Sequence, residues 1–279
     1  RNKPSGWHMI PYGRQHITEK DIESVVEVLR SGFITQGPVV PRFEQAVAEY
    51  CGSHWAIAVN SGTSALHLGC FALDLGPGDV AWTSPNTFVA SANCARYCGA
   101  DVDFVDIDPD TLNLSPRKLA DKLEHTHRQG KRLPKVVIPV HFAGQSCDMA
   151  EIADLAKEYN FRIIEDASHA IGGRYRDEPV GSCRYSDIAV FSFHPVKNVT
   201  TGEGGMVVTD DDELADRLQK LRSFEMDYSP EGHEDEPWYQ VAEGVGYNYN
   251  VTDIQAALGM AHPDWPASPV RVPEAGEPA

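Results

Sequence analysis

Short apolar runs alternate with helix-patterned segments along most of this chain, and that alternation limits the fold more than any other feature. Trp55–Val59, Val80–Thr83, Val102–Val105, Val136–Val140, Phe161–Glu165, Ile188–Ser192 and Gly205–Thr209 read as buried strands. Helices are expected from Ser64 to about Leu73 and over Val89–Tyr97, Pro116–Leu123, Met149–Tyr159 and Asp212–Leu221. Strands without strict alternation, separated by helices, predict an α/β fold with a mainly parallel central sheet covered on both faces.

Two helices are expected ahead of this pattern. Thr18 reads as the N-cap of one, with an apolar stripe at Ile22, Val25, Val26 and Leu29. Phe43, Val47 and Tyr50 mark the second, stopped by Gly52. Thr252 caps a last helix ending near Met260, so 1–261 reads as one large domain. Within it, residues 1–9 read as a leader remnant, with Met9 a candidate start. Residues 262–279 hold five prolines and no periodicity, which predicts a disordered tail.

Charge and cysteine usage exclude some function classes. Lys plus Arg number 24 against 41 Asp plus Glu, a formal net charge of −17. That balance argues against a general binder of nucleic acid or anionic membrane, while leaving room for a local phosphate pocket. The six cysteines, at 51, 70, 94, 98, 147 and 183, form no C-x-x-C pair and lie mostly in apolar segments. They read as buried free thiols in a reducing, cytoplasmic setting.

Four features could carry chemistry, and each has a bland reading. Lys197 follows the strand Ile188–Ser192 and precedes a small-residue stretch ending Gly202-Glu203-Gly204-Gly205. A loop lysine is ordinarily just solvated, but one losing water at a strand end becomes a nucleophilic amine able to form a Schiff base. Asp166 follows the strand Phe161–Glu165, at the edge where open α/β sheets bind ligands; alone it would read as a helix cap. Ser61-Gly62-Thr63-Ser64 links a strand to a helix and offers N–H groups and hydroxyls to a phosphate. It is neither a Walker A loop nor a dinucleotide fingerprint, and without G-x-G-x-x-G a nicotinamide-dependent oxidoreductase is disfavoured. Phe88 is either core or a ring laid on a heteroaromatic cofactor. Together these features describe a pyridoxal phosphate (PLP) site. The pair His125 and His127 sits in a polar, basic stretch and reads as a solvated loop, with no metal expected.

The pieces IPYGRQ, ITQGP, VNSGTSALHLG, TSPNTFVASANC, EDASHAIGG, FSFHPVKNVTTGEGG and GYNYNVTDIQAALG resemble, in order and spacing, the DegT/DnrJ/StrS family of nucleotide-sugar aminotransferases. The resemblance spans roughly residues 10 to 260 and implies the aspartate-aminotransferase fold (fold type I). It implies Lys197 as the catalytic Schiff-base lysine, Thr63, Ser64 and Ser192 on the phosphate, and Phe88 stacked on the pyridine. It places Asp166 on the ring nitrogen and His169 toward the ring hydroxyl. Tyr12, Gly32, Phe33, Ile34, Thr35 and Gly62 would face the sugar nucleotide, and Asn248 would reach the cofactor site of the partner in a homodimer. Asn250 stands where relatives commonly carry Arg.

The implied reaction moves an amino group from glutamate to the C4 ketone of a UDP-4-keto-6-deoxy-N-acetylhexosamine. TSPNTFVASANCARYCGADVDFVDID and the HPVK form point to pseudaminic acid biosynthesis. In the family a smaller C-terminal α/β domain follows the last helix, and here it is expected to be missing. The competing expectation is therefore a truncated, inactive chain that binds PLP or a full-length partner.

Overall fold

The computed structural model describes residues 13–227, 235, 236 and 238–261; the expectations for 1–9, Tyr12 and 262–279 lie outside them. In chain order the helices α1 (Glu19–Arg30) and α2 (Val39–Cys51) lead into β1 (Trp55–Val59) and α3 (Gly62–Ala72). Next come β2 (Val80–Thr83), α4 (Ala90–Tyr97), β3 (Asp101–Phe104), α5 (Pro116–Arg128), β4 (Val136–Ile138), α6 (Met149–Tyr159) and β5 (Arg162–Asp166). A small hairpin, β6 (Arg174–Tyr175) and β7 (Glu178–Pro179), precedes β8 (Ile188–Ser192), β9 (Gly205–Thr209) and α7 (Asp212–Arg222). A second hairpin, β10 (Met226–Asp227) with β11 (Val241–Ala242), precedes α8 (Asp253–Ala261).

The main sheet has seven strands in the order β1-β9-β8-β5-β4-β2-β3. The pairs β8–β5, β5–β4, β4–β2 and β2–β3 are parallel, and β9 runs antiparallel to both β8 and β1. β1 therefore points the same way as β8, and six of the seven strands end at one edge. The expected mainly parallel sheet is present, with β9 the one reversal among the described residues. Its reversal follows from its connection: residues 193–204 hold no helix to carry the chain back across the sheet.

Both faces are covered. One face packs Ile164, Ile188, Val190 and Val207 under α3, α4 and α7; the other packs Ala189, Phe191 and Val208 against α2. A third cluster holds Trp82, Val137 and Ile163 against α5 and α6. Side chains such as Leu66, Ile57 and Phe191 are fully enclosed, and truncating one to Ala costs on the order of 2–5 kcal/mol.

Local chemistry sets the helix ends. The Thr18 hydroxyl accepts the Asp21 N–H while the Asp21 carboxylate accepts the Thr18 N–H, a reciprocal capping box. Gly52 closes α2 at φ 70°, a conformation that costs other residues about 1–2 kcal/mol. Pro116 opens α5, which runs past the expected Leu123 to Arg128. His125 and His127 thus lie in the last turn of a helix, where basic side chains suit the exposed carbonyls, and not in a loop. The six cysteines are free thiols, four of them buried. Among the described residues no helix is long and apolar enough to cross a membrane.

Candidate active site

The strand ends at the shared edge surround a cavity of about 570 Å³, within the range of small-molecule sites. Each wall comes from the residues just past a strand. β1 contributes Ser61, Gly62 and Thr63; β2 contributes Thr87 and Phe88; β4 contributes His141; β5 contributes Asp166, Ser168 and His169; β8 contributes Ser192, His194, Val196 and Lys197. Glu203 closes the remaining side.

Gly62, Thr63, Phe88, Asp166, His169, Ser192 and Lys197, all expected from sequence, thus meet at one cavity. Ser64 does not line it: its hydroxyl donates to Asn60 Oδ1 at 2.6 Å and lies 2.9 Å from Ser61 Oγ. The Gly32–Thr35 loop is also off this wall. It is tied to the start of α8, where the Asp253 N–H donates to the Ile34 carbonyl and buried Asp253 accepts the Gly37 and Val39 N–H groups at 2.8 Å each. Phe33 and Ile34 are left more than half exposed. Asn248 does not line the cavity: its carbonyl accepts from Asn60 Nδ2 at 3.5 Å, and its side-chain oxygen accepts from Asn250 Nδ2 at 3.1 Å. Tyr12 lies outside the described residues.

At the phosphate-sized end, Ser61 caps α3 by accepting the Ser64 N–H at 3.1 Å. The N–H groups of Gly62 and Thr63 open the helix, where the backbone has no partner within the helix itself. A Cβ on Gly62 would stand 2.9 Å from the Ser192 Cβ, so only glycine lets this backbone meet the strand end. Helix dipole, unspent N–H groups and the hydroxyls of Thr63 and Ser192 form an anion cradle.

The charged groups line the same cavity. Asp166 is 5% exposed, its Oδ2 accepting the Ser91 hydroxyl at 2.6 Å and its Oδ1 the Ser168 N–H at 3.2 Å. Lys197 is half-buried, and burial lowers its ammonium from the ordinary lysine value while the Asp166 charge pulls the other way. The same burial, helped by the charge of Lys197, lowers His169, with Asp166 again opposing. His141 is fully buried: its Nδ1 accepts the Cys147 N–H at 3.2 Å and its Nε2 lies 2.7 Å from Glu165 Oε2, which places the ring proton on Nε2. Phe88, a large apolar ring lining the cavity, is 74% exposed among the described residues.

These features fit PLP. One cavity holds an anion cradle, a buried carboxylate for a ring nitrogen, an exposed aromatic ring and an amine whose charged form burial disfavours. Sequence reading missed Thr87, Ser91, His141, Ser168, His194 and Glu203. Thr87 and Ser91 flank Phe88 four positions apart, across the loop that enters α4, where the two hydroxyls meet at 2.7 Å.

The comparisons agree. The family model for the DegT/DnrJ/EryC1/StrS aminotransferases matches residues 15–263, and the chain belongs to that family, whose aminotransferases are PLP-dependent. GDP-perosamine synthase of Caulobacter vibrioides is 43% identical over 238 residues, 85% of this chain and 60% of that protein. UDP-4-amino-4,6-dideoxy-N-acetyl-beta-L-altrosamine transaminase of Campylobacter jejuni is 40% identical over 252 residues, 90% of this chain and 63% of that protein. Among solved structures, Helicobacter pylori PseC, an aminotransferase of pseudoaminic acid biosynthesis, superposes with a TM-score of 0.80 at 30% identity, covering 90% of this chain and 64% of its own. The putative sugar aminotransferase Spr1654 of Streptococcus pneumoniae is solved in PLP and PMP forms; the PMP form gives a TM-score of 0.82 at 31% identity, covering 92% of this chain and 68% of that one. The chain thus spans about 60–63% of the length of these two curated relatives.

Proposed function

We propose that this chain carries the PLP-binding large domain of a nucleotide-sugar aminotransferase. The enzyme transfers an amino group from glutamate to the C4 ketone of a UDP-4-keto-6-deoxy-N-acetylhexosamine, in pseudaminic acid biosynthesis in the cytoplasm. The observation that carries the reading is one cavity shared by Lys197, its charged form disfavoured by burial, and the buried carboxylate of Asp166.

When bound, PLP supplies an aldehyde that condenses with amines and a ring that takes up the electron pair left on carbon after proton loss. Lys197 Nζ would hold the cofactor through its aldehyde carbon, with loss of water, until the amine of the donor takes its place. Freed, the Lys197 amine would take the proton from the donor's Cα and deliver it to the former aldehyde carbon on the far side of the shared nitrogen, base then acid. Burial disfavours the Lys197 ammonium and so eases the loss of a proton that this role needs. Asp166 would pair with the ring nitrogen, Phe88 would stack on the ring, and Gly62, Thr63 and Ser192 would hold the phosphate, with Ser64 bracing the cradle from behind. His169 would approach the ring hydroxyl. The acceptor half-reaction runs the same proton movements in reverse.

The Gly32–Thr35 loop, Gly62 and Tyr12 are assigned to the sugar nucleotide, and Asn248 to the partner subunit's site in a homodimer. The UDP sugar rests on the strings TSPNTFVASANCARYCGADVDFVDID and HPVK; the GDP-perosamine synthase likeness, 43% identical against 40% for the altrosamine transaminase, makes a GDP sugar the competing substrate in the test. The test is the visible absorption of the protein titrated with PLP beside Lys197→Ala, then turnover with glutamate and UDP- or GDP-4-keto-6-deoxy sugars. A band present in the wild type and lost in the variant, with turnover of the UDP substrate, supports the reading. No band in either protein overturns it, and a band without turnover limits this chain to cofactor binding.

A further inference from the structure

Asp166 is held from behind by a short chain of hydroxyls. Ser91, 1% exposed and in the first turn of α4, places Oγ 2.6 Å from Asp166 Oδ2 and 3.3 Å from the Phe88 carbonyl. Thr87 Oγ1 lies 2.7 Å from Ser91 Oγ. The carboxylate and the carbonyl can only accept, and the serine has one proton. Thr87 donating to Ser91 and Ser91 donating to Asp166 satisfies the chain, and the short contact is that of a charge-assisted bond. Ser91 follows Phe88 by three positions and its N–H donates to the Phe88 carbonyl at 3.2 Å, so the turn entering α4 sets the exposed ring at the cavity and the hydroxyl on the carboxylate.

We propose that Ser91, oriented by Thr87, is a positioning residue that fixes the Asp166 carboxylate and keeps the proton it shares with a bound pyridine on the ring nitrogen. This rests on the PLP reading above. A donor to a carboxylate stabilises its charged form over its protonated form. With Ser91 in place the N–H bond of the ring stays intact beside an anionic Asp166. Without it the proton passes to a carboxylate oxygen, the N–H electron pair stays on nitrogen, and the ring loses the positive charge that draws electrons from the reacting carbon. Adjacent hydroxyls strengthen one another, so removing Thr87 weakens the bond without abolishing it.

The experiment loads the full chain with PLP labelled with 15N in the ring. It reads the 15N chemical shift by NMR, cofactor affinity by fluorescence and folding by thermal melting, for the wild type, Ser91→Ala, Ser91→Thr and Thr87→Val. The wild type and Ser91→Thr should show a protonated ring nitrogen. Ser91→Ala should move the signal toward neutral pyridine and weaken binding about tenfold, with Thr87→Val shifting the same way by less. A bound cofactor with the wild-type shift in Ser91→Ala overturns the inference and leaves the PLP reading standing. If Ser91→Ala does not fold, an unchanged shift in Thr87→Val, whose site is only half-buried, overturns it. A wild type that binds no PLP overturns both.

Discussion

Glu165 and Asp166 are neighbours on β5, both 5% exposed, yet the sheet gives them opposite fates. Successive side chains on a strand point to opposite faces. Glu165 turns into a closed network, its oxygens taken by the Ser186 hydroxyl and His141 Nε2. Asp166 turns toward α4, takes one donor on each oxygen and still lines the cavity that Lys197 shares. Burial alone therefore does not mark a functional carboxylate. What separates the two is the space in front of one of them and the amine that shares it.

The largest expected effect tests the open side of that contrast. Lys197→Ala should abolish amino transfer, with a rate loss on the order of 10³ or more, because it removes both the amine and the proton carrier. Its melting temperature should stay near the wild-type value, as measured by circular dichroism, since the ammonium is a burden to the fold.

The closed side should answer in the opposite way. Glu165→Ala breaks a buried hydrogen-bonded pair and should cost about 3–5 kcal/mol of stability, read by denaturant unfolding, while the folded fraction still binds PLP. Equal losses of stability in Asp166→Ala and Glu165→Ala would dissolve the contrast.

Phe88→Ala sharpens it at the cavity. An exposed ring contributes little to folding, within about 0.5 kcal/mol, yet PLP affinity should fall about tenfold, near 1.4 kcal/mol. A melting shift of many degrees with unchanged affinity would make Phe88 a packing residue.

The smallest effect concerns pH. His67 is buried beside Tyr249, whose hydroxyl lies 3.0 Å from its Nδ1, and its buried Nε2 has no hydrogen-bond partner. Burial lowers its folded value below the ordinary 6.5. The unfolded chain then binds a proton that the folded one refuses. Stability from this residue is present above pH 6.5 and is lost as pH falls below it, by up to about 1.4 kcal/mol per pH unit. Melting at pH 7.5 and 5.5 should show a smaller difference in His67→Phe than in the wild type.

Much of the fold was legible because its strands are apolar on both faces and its helices carry ordinary stop signals. Trp55–Val59, Val80–Thr83, Ile188–Ser192, Gly205–Thr209 and Met149–Tyr159 have the bounds read from sequence. The hairpins β6–β7 and β10–β11 were not legible, since two-residue strands carry no period. The direction of β9 was not read either, because strand residues do not encode polarity; the helix-free connection before it does. In the site, residues in recognisable local strings, such as Lys197 and Asp166, could be named in advance. Ser91 and His141 could not. Ser91 meets Asp166 across 75 positions and His141 meets Glu165 across 24, contacts that only the strand order creates.

The central claim is that Lys197 is the amine facing a PLP-sized cavity backed by Asp166. The most direct measurement is borohydride reduction of the protein mixed with PLP, followed by peptide mass mapping. One phosphopyridoxyl group is expected on the peptide containing Lys197, and none at that position in Lys197→Ala. Labelling spread over surface lysines, with Lys197 unmodified, would contradict it.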